Sequence, residues 1–121
     1  EYFMAGLRTL QSRFKTIEEV RGKGLLIGLE FKKPVGGILD VLTAGAINKV
    51  SEEYFAALVA GELVKKHGII TAYTLNNPNV MRLEPPLTVQ KEHIDYVLNA
   101  LEHILAGNRG FFSLAVSALR R

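Results

Sequence analysis

The residues with the clearest chemical potential lie in Val80-Met81-Arg82-Leu83-Glu84-Pro85-Pro86-Leu87. A guanidinium inside a short apolar strand that stops at two prolines is held near a sheet end, and its planar fork suits a carboxylate. The plainer alternative is an edge-strand arginine paired with Glu84 or with solvent. The three histidines, His67, His93 and His103, are isolated. His67 falls at a helix end, where it suits the dipole. His93 and His103 are too far apart for the i, i+4 pair that places two imidazoles together on one helical face. Each is expected to cap a helix or face solvent. Arg21-Gly22-Lys23-Gly24 holds only G-K-G, shorter than a phosphate-binding loop, and reads as a turn. No Ser-His-Asp motif and no paired metal-ligand motif occurs. The expectation is therefore no catalytic, cofactor-binding or metal-binding residue in this chain, and the residue chemistry by itself favours the plainer, paired reading of Arg82.

The elements that must position Arg82 follow from periodicity. Phe3, Leu7, Leu10 and Phe14 repeat at helical spacing and predict a helix over 2–14, with the chain starting within it or just before it. Thr16 to Val20 reads as a short strand, Arg21 to Gly24 as a turn, and Leu25 to Phe31 as the clearest strand. In that strand Leu25, Ile27, Leu29 and Phe31 share one face, and Leu26, Gly28 and Glu30 the other. Lys32 to Val50 is broken by Pro34 and Gly36-Gly37, with one or two helical turns near Ile38 to Leu42. Ser51 to Lys66 predicts a helix capped by Ser51, with Glu52 and Glu53 at its start, a stripe of Phe55, Leu58, Val59 and Leu63, and a stop at Gly68. Strands are expected at Ile69 to Tyr73 and Val80 to Leu83, joined by the Asn76-Asn77-Pro78-Asn79 turn. Thr88 is expected to cap a helix whose core face is Ile94, Val97, Leu98, Leu101, Ile104 and Leu105, stopped by Gly107. Phe111 to Leu119 can form a last short helix. The order predicts an α+β domain, with helices packed on a small, mainly antiparallel sheet.

The chain has 121 residues, 48% of them hydrophobic, enough for one domain with a real core over 1–121. The net charge of +3 is dispersed, and the basic pairs Lys32-Lys33, Lys65-Lys66 and Arg120-Arg121 are not interleaved with aromatics, so nucleic acid is not an expected partner. No segment reaches the roughly 18 to 20 apolar residues that span a bilayer, and nothing at the start resembles a signal peptide. The absence of cysteine excludes disulfides and thiolate chemistry and fits a cytoplasmic protein. A start at Glu1 rather than Met suggests a longer gene product or a processed chain.

Val20-Arg21-Gly22-Lys23-Gly24-Leu25-Leu26-Ile27-Gly28-Leu29-Glu30 resembles the hairpin that opens the small domain of class III aminotransferases. His67-Gly68-Ile69-Ile70, the arginine-bearing Val80 to Leu87, and Thr88 to Leu105 resemble the blocks that follow in that family, in the same order. The resemblance covers most of the chain and implies the C-terminal small domain of a pyridoxal-phosphate-dependent enzyme of the ornithine, acetylornithine and 4-aminobutyrate aminotransferase group. It implies the small-domain fold of fold-type I enzymes. It also implies a large domain of the same parent chain carrying the cofactor lysine and phosphate site, a homodimer in the full-length enzyme, and an amino acid or amine substrate. Arg82 matches the arginine that binds the substrate carboxylate. None of the eight lysines (Lys15, Lys23, Lys32, Lys33, Lys49, Lys65, Lys66, Lys91) matches the cofactor-lysine motif, so no cofactor is expected on this chain alone. The Lys32 to Ser51 segment is longer than the corresponding connection of typical members, and Phe111 to Arg121 extends past the usual terminal helix. The alternative is a stand-alone or decayed α+β binding or interaction module without catalysis.

Overall fold

The computed structural model describes residues 1–32 and 46–107, and the side chains of all of these except 46–54. The elements are α1 (Tyr2–Arg13), β1 (Ile17–Lys23), β2 (Leu26–Phe31), α2 (Ala46–His67), β3 (Ala72–Tyr73), β4 (Val80–Leu83) and α3 (Lys91–Gly107). The four strands form one sheet in the order β1-β2-β4-β3, with every neighbouring pair antiparallel. This is the α+β architecture that the element order predicts. The proposed helical turns near Ile38 to Leu42 and the helix over Phe111 to Leu119 lie outside the described residues.

Alternation divides the sheet into two faces. Ile27, Leu29 and Phe31 of β2 and Met81 and Leu83 of β4 are buried, and they join Phe3, Leu7 and Leu10 of α1, Phe55, Val59 and Leu63 of α2, and Leu101, Ile104 and Leu105 of α3 in one core. Phe31 and Phe55 meet edge to face, with ring centroids 5.1 Å apart. Burying such rings against one another supplies both area and specific geometry. The expected stripes of α2 and α3 are the observed ones, with Leu58, Val97 and Leu98 packed at the margin of the core.

Several boundaries differ from expectation for local physical reasons. β1 runs on through Arg21, Gly22 and Lys23, so the turn is only Gly24-Leu25, with Lys23 opposite Leu26. Gly24 has φ +61°, the conformation that two-residue hairpin turns demand and that glycine adopts without penalty. α2 begins at Ala46, so Ser51, Glu52 and Glu53 lie inside the helix and Ser51 does not cap it. Residues 46–50 contain neither glycine nor proline, and adding turns to an existing helix costs little. Its other end is as expected: Gly68 has φ +65°, and the Gly68 and Ile69 N–H groups donate back to the carbonyls of Val64 and Leu63. The strand expected over Ile69 to Tyr73 shrinks to Ala72–Tyr73.

Thr88 does not cap α3. It sits in a turn closed by Val89 N–H to the Pro86 carbonyl, and the helix starts at Lys91. Gln90 takes the cap position, and its N–H donates to His93 Nδ1 at 3.2 Å. A side chain three residues into the helix thus reaches back to the cap N–H, the reciprocal half of a capping box.

Candidate functional site

The outer face of the sheet carries the charged residues. Arg21 of β1 lies opposite Gly28 of β2, Gly28 lies opposite Arg82 of β4, and Arg82 lies opposite Ala72 of β3. One row across the sheet therefore reads Arg21, Gly28, Arg82, Ala72. The position of Arg82 is set by its neighbours in sequence. Met81 is fully buried and Leu83 nearly so, and alternation then turns Arg82 to the opposite side. β4 is not an edge strand, as one sequence reading had it, because β2 and β3 flank it. The residues beside Arg82 in its row are a glycine and an alanine, too short to reach a guanidinium.

The Arg82 side chain is 47% exposed, and its Nε lies 3.4 Å from Glu84 Oε1. The two terminal nitrogens of its fork have no partner among the described residues. The pairing with Glu84 anticipated for a structural arginine is thus present, but it engages only one side of the group. A planar fork with its outer edge open can accept a carboxylate through two parallel N–H···O bonds.

Arg21 is bound quite differently. Its Nη1 donates to Glu19 Oε2 at 2.6 Å and to Glu30 Oε2. Chiefly the hydrogen bond to Glu30 holds the guanidinium pKa above its ordinary value; burial opposes it, and the hydrogen bond to Glu19 adds to the rise. Glu30 also accepts from Asn77 Nδ2 at 2.9 Å, which ties the β3–β4 turn to the sheet. Within that turn, Asn77 Oδ1 accepts from Asn79 N–H and Thr74 Oγ1 donates to the Asn77 carbonyl. These are the local side-chain bonds that asparagine and threonine offer in turns.

The histidines separate. His93 caps α3 as described. His67 and His103, remote in sequence, meet across α2 and α3 with ring centroids 5.8 Å apart, and Tyr96 donates to the His67 carbonyl at 2.9 Å. His67 Nε2 is buried without a hydrogen-bond partner among the described residues. Spacing within α3 could not reveal this pair, because one member comes from another helix. Among the described residues no group of three or more His, Cys, Asp or Glu side chains could hold a metal ion. A separate concavity of about 420 Å³ is lined by Arg13, Phe14, Lys15, Thr16, Leu105 and Ala106, and contains no member of the Arg82 row.

Lys66 pairs with Glu62 at 2.5 Å, Lys32 lies 3.8 Å from Glu18, and Lys91 stands over the Tyr2 ring. Lys15, Lys23 and Lys65 are exposed.

The class-III aminotransferase family profile matches residues 1–105. The chain is 33% identical over 106 residues to an acetylornithine aminotransferase of Caldanaerobacter subterraneus subsp. tengcongensis, covering 88% of this chain and 21% of that protein. It is 30% identical over 105 residues to an ornithine aminotransferase of Oceanobacillus iheyensis, covering 87% and 20%. Among solved structures, adenosylmethionine-8-amino-7-oxononanoate aminotransferase of Methanocaldococcus jannaschii superposes with a TM-score of 0.61 at 25% identity, over 84% of this chain and 20% of that one. An α+β domain with an arginine-bearing strand ending in Pro-Pro, matched over nearly its whole length, defines the class: the chain belongs to the class-III aminotransferase family. It spans about a fifth of the length of the relatives it matches.

Proposed function

We propose that this chain is the C-terminal small domain of a pyridoxal-phosphate-dependent aminotransferase that moves an amino group between an amino acid or amine donor and a 2-oxo acid, and that Arg82 binds the substrate carboxylate. The observation that carries this is the open fork of Arg82, flanked by Gly28 and Ala72. Arg82 supplies orientation rather than proton transfer. It fixes one end of the substrate, so that the reacting end is presented in a limited set of geometries.

The cofactor, which supplies the electron sink for amino transfer, belongs to a large domain elsewhere in the parent chain. Leu26, Ile70, Leu75 and Leu87 stand exposed, the last two at 93% and 94%, and such apolar surface suits cover by a second domain. A homodimeric, cytoplasmic parent enzyme is consistent with this arrangement, and no helix among the described residues is long and apolar enough to cross a membrane.

Kinetics of the full-length protein test the role of Arg82. Arg82→Ala is expected to impair donors that carry a carboxylate far more than a simple alkylamine, with cofactor absorbance unchanged. Equal losses on both donor types return Arg82 to a structural role. The isolated chain is expected to form no stable complex with pyridoxal phosphate. Absorbance titration followed by borohydride trapping and mass spectrometry checks this, and a stoichiometric adduct at one lysine refutes it.

A further inference from the structure

Glu84 stands two residues beyond Arg82 and immediately before Pro85. A residue preceding proline is held in extended backbone, because the proline ring crowds the helical alternative. Extended backbone has a side-chain period of two, so Glu84 is kept on the same side of the chain as Arg82. The 3.4 Å contact of Arg82 Nε with Glu84 Oε1 shows the outcome. Both side chains remain accessible, at 47% and 43% exposure. The next arginine in the row, Arg21, has its own two carboxylates in Glu19 and Glu30.

The candidate subsite is therefore not a lone cation. It is a fixed dipole, positive at the open guanidinium fork and negative at the flanking carboxylate. A donor end that is only a carboxylate gives such a subsite a net negative charge once bound. A donor end that carries an ammonium beside its carboxylate lays an antiparallel dipole against it, with carboxylate on Arg82 and ammonium on Glu84, and the charges cancel. Uncompensated charge is costly where a site is closed from water, so the difference becomes selectivity.

Resting on the assignment of Arg82 to the substrate carboxylate, we propose that Glu84 is a specificity-determining residue: paired with Arg82, it selects donors whose carboxylate has a neighbouring ammonium, so that the transferred amine lies at the donor's far end. Glu84 lends no proton to the reaction. It sets which molecules seat with the distal amine forward.

The test uses the full-length holoenzyme with one fixed acceptor and three donors of equal chain length. Ornithine carries the terminal amine, the carboxylate and the neighbouring ammonium; δ-aminovalerate lacks the ammonium; pentylamine lacks both. The readout is the ratio of kcat/KM for ornithine to that for δ-aminovalerate, which cancels differences in active enzyme between preparations. Glu84→Gln is expected to lower this ratio roughly two- to fivefold, the scale of one partly exposed charge contact. Glu84→Asp, which keeps the charge, is expected to retain most of it. An unchanged ratio in Glu84→Gln, or a Glu84→Asp ratio as low as that of Glu84→Gln, overturns the proposal. Arg82→Ala in the same assay separates the two levels. If it impairs both carboxylate donors and spares pentylamine while Glu84→Gln leaves the ratio intact, only the role of Glu84 falls. If Arg82→Ala affects all three donors alike, the carboxylate assignment falls and takes the proposal with it.

Discussion

Arg21 and Arg82 stand in one row of the same sheet face, on either side of Gly28, yet their surroundings are opposite. Arg21 spends its Nη1 on two carboxylates, one of which also holds the β3–β4 turn through Asn77. Arg82 is touched only at Nε and keeps its fork free among the described residues. A saturated arginine welds strands and loops together, whereas one with open donors can act on something outside the domain. Residue type and exposure do not separate the two, since their side chains are 45% and 47% exposed. The number and direction of their partners do.

The difference between the covered and open faces of this sheet predicts a ranking of effects. The largest belongs to the covered face. Expressed by itself, the chain is expected to unfold in a single cooperative thermal transition, and Phe31→Ala is expected to destabilise it by about 3–5 kcal/mol, the usual cost of emptying a large buried aromatic site. Phe31 is 1% exposed and stacks edge to face on Phe55, so little can relax into the void. Chemical denaturation measures this, and a loss below about 1 kcal/mol would be typical only of a surface position.

Next comes Arg82 in the full-length protein. Arg82→Ala is expected to cost about 2–4 kcal/mol in transition-state binding of carboxylate donors, or roughly thirty- to thousandfold in kcat/KM. Arg82→Lys is expected to recover only part of this, because an ammonium cannot reproduce the planar fork. Steady-state kinetics with carboxylate and carboxylate-free donors give the measurement.

Arg21→Gln supplies the contrast. Its ion pairs are largely exposed, so the expected loss of stability is at most about 1 kcal/mol, and donor selectivity is expected to stay near that of the wild type. A selectivity change as large as that of Arg82→Ala would erase the distinction between the two arginines.

The smallest effect concerns the tether between α1 and α3. Tyr2 donates to Asp95 Oδ1 at 2.5 Å, and chiefly this hydrogen bond raises the tyrosine pKa in the fold. A phenol whose folded pKa is raised contributes stability that is fully present below the unfolded pKa and lost as pH rises through the folded value. Tyr2→Phe is therefore expected to melt slightly lower than the wild type at neutral pH, with the gap closing under alkaline conditions. Thermal melts of both proteins across that range check the sign, and a gap that widens with pH contradicts it.

Much of the fold was legible in the residues because two periodicities dominate it. The parity of Ile27, Leu29 and Phe31 against Gly28 and Glu30 marks the two faces of β2. The stripes of α2 and α3 likewise name the core that forms. Glycines at 24 and 68 mark the hairpin turn and the end of α2, since both need a left-handed backbone. Caps were less legible: Ser51 and Thr88 have suitable side chains, but the helices start elsewhere, at positions fixed by how far the helical backbone can propagate and by His93 reaching Gln90. Capping preference is worth only about 1 kcal/mol, so context overrides it readily.

By itself the sequence determined that Arg82 lies on a strand, that Met81 and Leu83 face away from it, and that Glu84 is held extended ahead of Pro85. Each of these depends on bonds and sterics between residues adjacent in the chain. Only the tertiary structure decided which side chains share the open face. Strand order placed Gly28 and Ala72 beside Arg82, gave Arg21 to Glu19 and Glu30, and brought His67 against His103. Cross-strand and cross-helix neighbours are set by the packing of the whole core, and no local preference encodes them.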